Sequence, residues 1–330
     1  MTLFLPVDDP SRVAEARRLA MTTAREEGLD AAGIAAAELV ATEMATNLLK
    51  HAKGGEIQMA RLSVQGAAGL DILSIDRGPG IFSIEECLRD GYSGTGTSGT
   101  GLGSINRISR VFDAYSESGK GTVMLARIGG AGTDQEMVVG SAGRPVSGED
   151  VSGDSWAMRQ EGEISLFIVA DGLGHGIQAA EASAEAVSAF RTSSDTTPTG
   201  LVQKVHRALR GTRGAAVAVA VLDRAKRMIR YAGIGNIAGY VVGPAKTQFM
   251  ISHNGTAGHE ATHFQEFLYP FPETSVLIMH SDGLSTSWNL GAYPGLALRH
   301  PTVIAGTLYR DAARDRDDAC VVIAKDCVTS

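Results

Sequence analysis

The chain has 330 residues, enough for two domains of ordinary size, and its 44% hydrophobic and 20% charged residues describe a globular rather than a disordered protein. The formal net charge of −7 argues against a nucleic-acid-binding surface, which needs clustered Lys and Arg. No apolar stretch approaches the ~18–20 residues of a membrane span. The three cysteines, Cys87, Cys320 and Cys327, are scattered and odd in number, so neither a disulfide framework nor a zinc knuckle is readable. The opening MTLFLPVDDP lacks the basic-then-apolar order of a secretory signal, and the reducing cytoplasm is the expected compartment.

Residues 11–27 and 31–52 read as two helices separated at Gly28-Leu29-Asp30, the second rich in the helix formers Ala, Leu, Glu and Met. Strands are expected at Glu56–Val64 and Leu70–Ile75. Ser83-x-x-Glu86 is a capping box for a short helix through Arg89. A Gly/Thr/Ser-rich loop, 91–103, enters a helix near Ser104–Val111, and a strand follows at Thr122–Ile128. Gly129-Gly130-Ala131-Gly132 is flexible by composition, which places a linker at 131–135 between domains at 1–130 and 136–330. Beyond it, strands at 138–140, 164–170, 215–222, 228–234, 237–242 and 276–280 join through short turns as an antiparallel meander, with helices near 177–191 and 199–210. The segment 249–267, with His253, His259 and His263, reads as a variable flap with surface histidines.

Three elements of the first half point to nucleotide. Glu43-x-x-x-Asn47 puts two polar side chains on one helical face. Asp76-Arg77-Gly78-Pro79-Gly80 follows a strand, where an acid can accept from an exocyclic amine and glycines allow close backbone approach. Gly99-Thr100-Gly101-Leu102-Gly103 precedes a helix whose N-terminal amides can cradle phosphates. In the second half, Gly153-Asp154, Asp171-Gly172, Asp282-Gly283 and Asp317-Asp318 punctuate the chain, three of them where an apolar run meets a turn. Carboxylates at strand ends are hard oxygen ligands suited to Mg²⁺ or Mn²⁺.

The order of the first three elements, closed by Gly121-Thr122, resembles the GHKL ATPase/kinase superfamily over about residues 10–128. The run DGYSGTGTSGTGLG is similar to RsbT-type anti-sigma-factor serine kinases. That resemblance implies an α/β sandwich in which Glu43 is general base, Asn47 holds Mg²⁺ and Asp76 binds the adenine amine. Gly78 and Gly80 would shape the adenine pocket, Gly99, Gly101 and Gly103 wrap the phosphates of ATP or ADP, and Thr122 support Asp76 through a water. His51 is assigned to packing or polar support, because no separate dimerisation helix accompanies it.

VSGDSWAM (151–158), LFIVADGLGHG (166–176), VLIMHSDGL (276–284) and DDACVVIA (317–324) resemble the SpoIIE-type, RsbX-like branch of the PPM phosphatases over roughly 136–327. The implied fold is an α/β/β/α sandwich of two antiparallel sheets, making the chain a two-domain α/β (α+β) protein. The implied metal set for two Mn²⁺ or Mg²⁺ ions is Asp154, Asp171, the Gly172 carbonyl, Asp282 and Asp317, with water rather than a side chain as nucleophile. Asp318 would tune the site, and His175 would protonate the leaving oxygen or orient its loop. The arginine that binds phosphate in eukaryotic relatives is not found. Together the resemblances imply a bacterial partner-switching protein acting on phosphoserine or phosphothreonine of a STAS-domain antagonist, an RsbS/RsbR-like protein or stressosome component. The alternative is a phosphatase whose first domain senses nucleotide or docks to a partner without kinase activity.

Overall fold

The computed structural model describes residues 2–64, 67–88, 101–130, 137–259 and 261–326. Gly99 and the expected linker 131–135 lie outside these described residues. The chain divides into two compact units, Met1–Gln135 with Pro294–Arg310, and Glu136–Tyr293 with Asp311–Ser330. The second unit therefore differs from an unbroken 136–330 stretch in lacking residues 294–310.

The first unit opens with strand β1 (Thr2–Val7), followed by α1 (Ser11–Glu26) and α2 (Ala31–Asn47). Asp30 caps α2 by accepting from the Gly33 amide at 2.8 Å, and Gly28, at φ +80°, provides the left-handed turn that separates the helices. Past Asn47 the helix widens into a π-turn at Leu48–Ala52. Strands β2 (Gly55–Val64) and β3 (Ala67–Ile75), short helices α3 (Ile84–Cys87) and α4 (Gly101–Ile108), and strands β4 (Val111–Glu117) and β5 (Gly121–Gly129) complete this part. The five strands form an antiparallel sheet in the order β1-β2-β3-β5-β4. Strands β1 and β4 were not expected. Both are sheet edges, and β1 carries Pro6, which an edge tolerates.

Alternation along β3 and β5 sends two sets of side chains to opposite faces. Leu70, Ile72, Met124, Ala126 and Ile128 pack with Val40, Ala41, Met44 and Ala45 of α2. The other face carries Asp71, Leu73, Ile75, Val123, Leu125 and Arg127, all in register between neighbouring strands. That face is covered by residues 294–310, which include most of helix α7 (Pro301–Ala312). Gly306 marks the closest approach, since a Cβ there would sit 2.8 Å from Val123 Cγ1 and 3.1 Å from Leu73 Cδ2. Polar groups on this face are paired. Arg127 forks onto Asp71 at 2.7 and 2.9 Å, Thr302 Oγ1 reaches the same carboxylate at 3.5 Å, and Tyr309 OH donates to Glu56 at 3.2 Å.

The second unit holds two five-stranded antiparallel sheets. One, ordered β13-β10-β9-β8-β7, is built from β7 (Asp154–Glu161), β8 (Ile164–Gly172), β9 (Ala215–Asp223), β10 (Met228–Ile234) and β13 (Phe267–Pro270). The other, ordered β12-β11-β14-β15-β6, contains β6 (Met137–Arg144), β11 (Ala238–Val242), β12 (Thr247–Met250), β14 (Val276–His280) and β15 (Ala319–Asp326). Phe167, Val169, Ala218 and Ala220 meet Val241, Leu277, Met279 and Val322 in the core between the sheets. Leu166, Ile168 and Ala170 point the other way, into a second core with α5 (Ile177–Arg191) and α6 (Pro198–Ala208). Burial on both faces is why β8 reads as a continuous apolar run. Strand β7 was missed because DSWAMRQE mixes polar and apolar residues on a sheet edge.

Gly306→Leu is expected to overpack the face of the first sheet and to cost about 1–3 kcal/mol despite its better helix propensity. Urea unfolding of the full chain measures it, as a lowered midpoint.

Candidate active site and nucleotide site

In the second unit the β7–β8 hairpin places Asp154 directly opposite Asp171 in the antiparallel register. Asp154 is buried, and its Oδ1 has no hydrogen-bond partner. Gly172, next along β8, faces the first turn of α5 so closely that a Cβ would collide with the Ala179 backbone, and its amide donates to Gly153 O at 3.0 Å. Only glycine fits there, so the strand-end carbonyl and the acid beside it are fixed together.

The other two acids come from the second sheet. Asp282 follows β14 and its Oδ2 accepts from Asn236 Nδ2 at 2.6 Å. Asp317 and Asp318 precede β15, and a Cβ on Gly283 would collide with the Asp318 carbonyl, which holds the two turns together. Asp318 accepts the Val146 amide at 2.8 Å and the Gly153 amide at 2.9 Å, so it clamps the loop that delivers Asp154. Arg314 binds the Asp282 turn with its backbone N, donating to Gly283 O at 2.7 Å, and with its side-chain Nη1, donating to Asp282 O at 3.2 Å.

The acids of this cluster are shifted by burial and by one another. Burial, then the charge of Asp171, pushes the Asp154 carboxyl well above the usual carboxylate range. Burial and the charges of Asp282, Asp317 and Asp318 push Asp171 up to about 8. Asp282 is raised by burial and by Asp317. Among the described residues, no three His, Cys, Asp or Glu side chains yet converge in ligand geometry. A buried, partnerless carboxylate oxygen among mutually repelling acids, in an all-oxygen donor set, nevertheless fits a hard divalent ion. Cys320 is fully buried and its thiol is pushed up by burial and by Asp154, which removes it as a nucleophile.

His175 stands exposed in its loop, with Nδ1 2.7 Å from Glu149 Oε1. Glu149 was not singled out in the sequence, because no motif marks it. Arg213 was missed as well. A Cβ on Gly174 would lie 3.0 Å from its Nη1, which puts a cation beside the His175 loop. Of the flap histidines, His253 stacks edge-on against His263 at 4.8 Å, and His259 Nε2 lies 3.1 Å from Thr212 O.

In the first unit Asp76 leaves β3 almost buried, and its Oδ1 accepts the Gly78 amide at 2.7 Å and the Thr122 amide at 3.2 Å. Burial raises this carboxyl, while the two amides and the Arg310 guanidinium oppose the rise. Thr122 reaches Asp76 directly through its main-chain amide, and its hydroxyl lies 3.0 Å from Ser116 Oγ. Gly80, at φ +77°, and Gly78 both make backbone approaches that a side chain would block, Gly78 against Ala52 of the π-turn. The π-turn that follows α2 and Asn47 is thereby packed on the Asp76 loop at Ala52. Glu43 lies one turn earlier, its Oε2 3.0 Å from where a Cβ on Gly101 would sit, at the N-terminus of α4. Gly103 is buried within α4.

The family described as histidine kinase-like ATPase domain matches residues 7–128, and the family described as Stage II sporulation protein E (SpoIIE) matches residues 162–325. The serine/threonine-protein kinase RsbT of Bacillus subtilis (strain 168) is 32% identical over 114 residues, covering 34% of this chain and 86% of RsbT. The chain belongs to the RsbT family of histidine kinase-like ATPases, extended by a SpoIIE-type phosphatase domain. For the SpoIIE-type part, the phosphoserine phosphatase RsbX of Bacillus subtilis (strain 168) is 24% identical over 139 residues, 42% of this chain and 70% of RsbX. A chain solved in work on the bacterial stressosome, as a modular system adapted to control secondary messenger signalling, is similar in structure. It matches at 27% identity and TM-score 0.54, over 58% of this chain and 100% of its own. The SpoIIE match runs through 294–310, the residues that cover one face of the sheet of the RsbT-like unit.

The raised Asp171 carboxyl sets a sign. Its folded value, about 8, lies above its ordinary 3.8, so ionisation opposes folding; the metal-free protein is most stable below pH 4 on this account and loses stability as pH rises toward 8. Thermal melts of the metal-free chain between pH 6 and 9 should show that decline, and Asp171→Asn should flatten it.

Proposed function

We propose that the SpoIIE-type unit removes phosphate from phosphoserine or phosphothreonine of a STAS-domain antagonist, in a cytoplasmic partner-switching circuit of stress signalling. The observation that carries the reading is the paired Asp154 and Asp171, buried in register with an oxygen of Asp154 unpartnered. Asp154, Asp171, the Gly172 carbonyl, Asp282 and Asp317 would hold two Mn²⁺ or Mg²⁺ ions. When bound, such ions polarise a phosphoryl group and lower the pKa of water. The chain's own part is to keep these oxygens fixed and, through His175, to hold a proton at the mouth of the site. The Glu149 carboxylate at Nδ1 leaves Nε2 of His175 as the nitrogen that faces a leaving serine oxygen. Arg213, beside the same loop, is the cation that could receive the substrate phosphate.

The RsbT-like unit would bind ATP or ADP with Mg²⁺. Both backbone amides at Asp76 fall on Oδ1, so Oδ2 is left for the adenine amine, and the N-terminus of α4 with Gly101 and Gly103 would meet phosphate. Asn47 would hold its Mg²⁺. Kinase action adds Glu43 as base on the protein hydroxyl. Glu43 beside Gly101 supports that role, because it sets the carboxylate at the helix end where phosphate would lie. Phosphotransfer from labelled ATP to a STAS protein separates a kinase from a nucleotide sensor.

Asp171→Ala or Asp282→Ala is expected to abolish Mn²⁺-dependent aryl-phosphate hydrolysis while the fold survives, a loss of several kcal/mol of transition-state stabilisation. Near-normal rates in both variants would sink the metal assignment. Asp76→Asn is expected to weaken ADP binding by the full chain by about ten- to a hundredfold, as loss of a charge-assisted bond of roughly 1.5–3 kcal/mol implies. Calorimetry of the wild type and the variant decides it.

A further inference from the structure

Ser281 is fully buried between β14 and the Asp282 turn. Its Oγ accepts the Cys320 amide at 3.0 Å, and its own amide donates to the Cys320 carbonyl at 3.0 Å. These two bonds seat the residue on β15. With a lone pair taken by the Cys320 N–H, the hydroxyl proton has two acceptors within reach. Asp154 Oδ2 is at 2.6 Å and the Cys320 carbonyl at 3.5 Å, so the nearer oxygen takes it.

This matters because an aspartate's last torsion is broad and two-fold, with little intrinsic preference for which oxygen faces where. In Asp154 the Ser281 bond removes that freedom. Oδ2 is committed to the hydroxyl, and Oδ1 is the oxygen left buried without a partner. The bond also joins positions 127 residues apart in the chain, so the turn that carries Asp282 sets the orientation of the acid on β7.

We propose that Ser281 is a positioning residue for Asp154, fixing the rotation of its carboxylate so that Oδ1 alone is presented to a divalent cation. This rests on the phosphatase reading of the site. Ser281 acts through Asp154: its proton is given to Asp154 and one of its lone pairs holds the Cys320 amide, inside a fully buried position. Its effect is therefore on cation affinity, exerted through Asp154. Partners that orient metal-binding side chains in this way commonly change affinity by about 10–100-fold.

The test is calorimetric titration of Mn²⁺ into the metal-free full-length protein, with far-UV circular dichroism and thermal melts confirming the fold of each variant. Ser281→Ala is expected to weaken Mn²⁺ binding by about 10–100-fold. Ser281→Thr, which keeps the hydroxyl, is expected to bind closer to the wild type than to the alanine variant. Wild-type affinity in Ser281→Ala overturns the proposal, and so does a folded Ser281→Thr that binds as weakly as alanine. Should the alanine variant fail to fold, Ser281→Cys takes its place with the same expected loss, since a thiol is a much weaker donor. Absence of Mn²⁺ binding in the wild type is a different result, one that removes the phosphatase reading itself.

Discussion

Asp154 and Asp171 face each other across the β7–β8 ladder, and the antiparallel register gives neither a way to move off. Two acids directly opposite each other in a non-hydrogen-bonded pair, where side chains lie closest, one of them buried, repel with little water to screen them. A hairpin with that cost at its end needs support from elsewhere. It comes from the Asp318 clamp on Gly153, from Ser281 on Asp154 and from the α5 turn that allows no side chain at Gly172. Each of these groups restrains an acid or its strand, and none neutralises the cluster. Below their raised titration range protons relieve the repulsion, and a divalent ion would do the same for the ionised acids.

The contrast with Asp76 is instructive. That carboxylate is also buried at a strand end, yet two backbone amides satisfy one of its oxygens and the Arg310 guanidinium adds a favourable field. Those partners offset part of what burial costs this carboxylate, and its other oxygen can accept from a neutral amine. Burial alone therefore does not define a metal acid. The partner inventory does, and in this chain it separates a carboxylate suited to a base edge from carboxylates suited to a cation.

Much of this was legible in the residues. The Asp-Gly pairs at the ends of apolar runs located Asp171 and Asp282 because strand, turn and acid are all local signals. The Glu43/Asn47 spacing and the glycines around Asp76 were legible for the same reason, helix period and tight turns being short-range properties. The edge strands β1, β4 and β7 were not, since a half-exposed edge has no firm alternation and Pro6 speaks against a strand. Glu149, Arg213, Asn236 and Ser281 act through contacts made across many residues of chain, and no spacing rule points to them. Helix α7 was overlooked because PTVIAGTLYRDA holds four β-branched residues, Thr302, Val303, Ile304 and Thr307, and a glycine in its first two turns. Its packing face lies on a sheet encoded almost 200 residues earlier, and composition carries no trace of that.

The cover that residues 294–310 form over Leu73, Ile75, Val123 and Leu125 bears on how this protein can be taken apart. The RsbT-like sequence ends near residue 128, but the unit it belongs to ends at Arg310. A fragment cut in the glycine-rich stretch would keep every residue proposed above for the nucleotide and lose the cover of its own sheet, exposing a stripe of leucine, isoleucine and valine to water. The other fragment would carry α7 with its apolar side unmatched. Neither half is a cassette that recombination could pass to another protein at that joint. A lineage that joined the two sequences in this way has made their separation costly, so the fusion is held together by folding as well as by a shared reading frame.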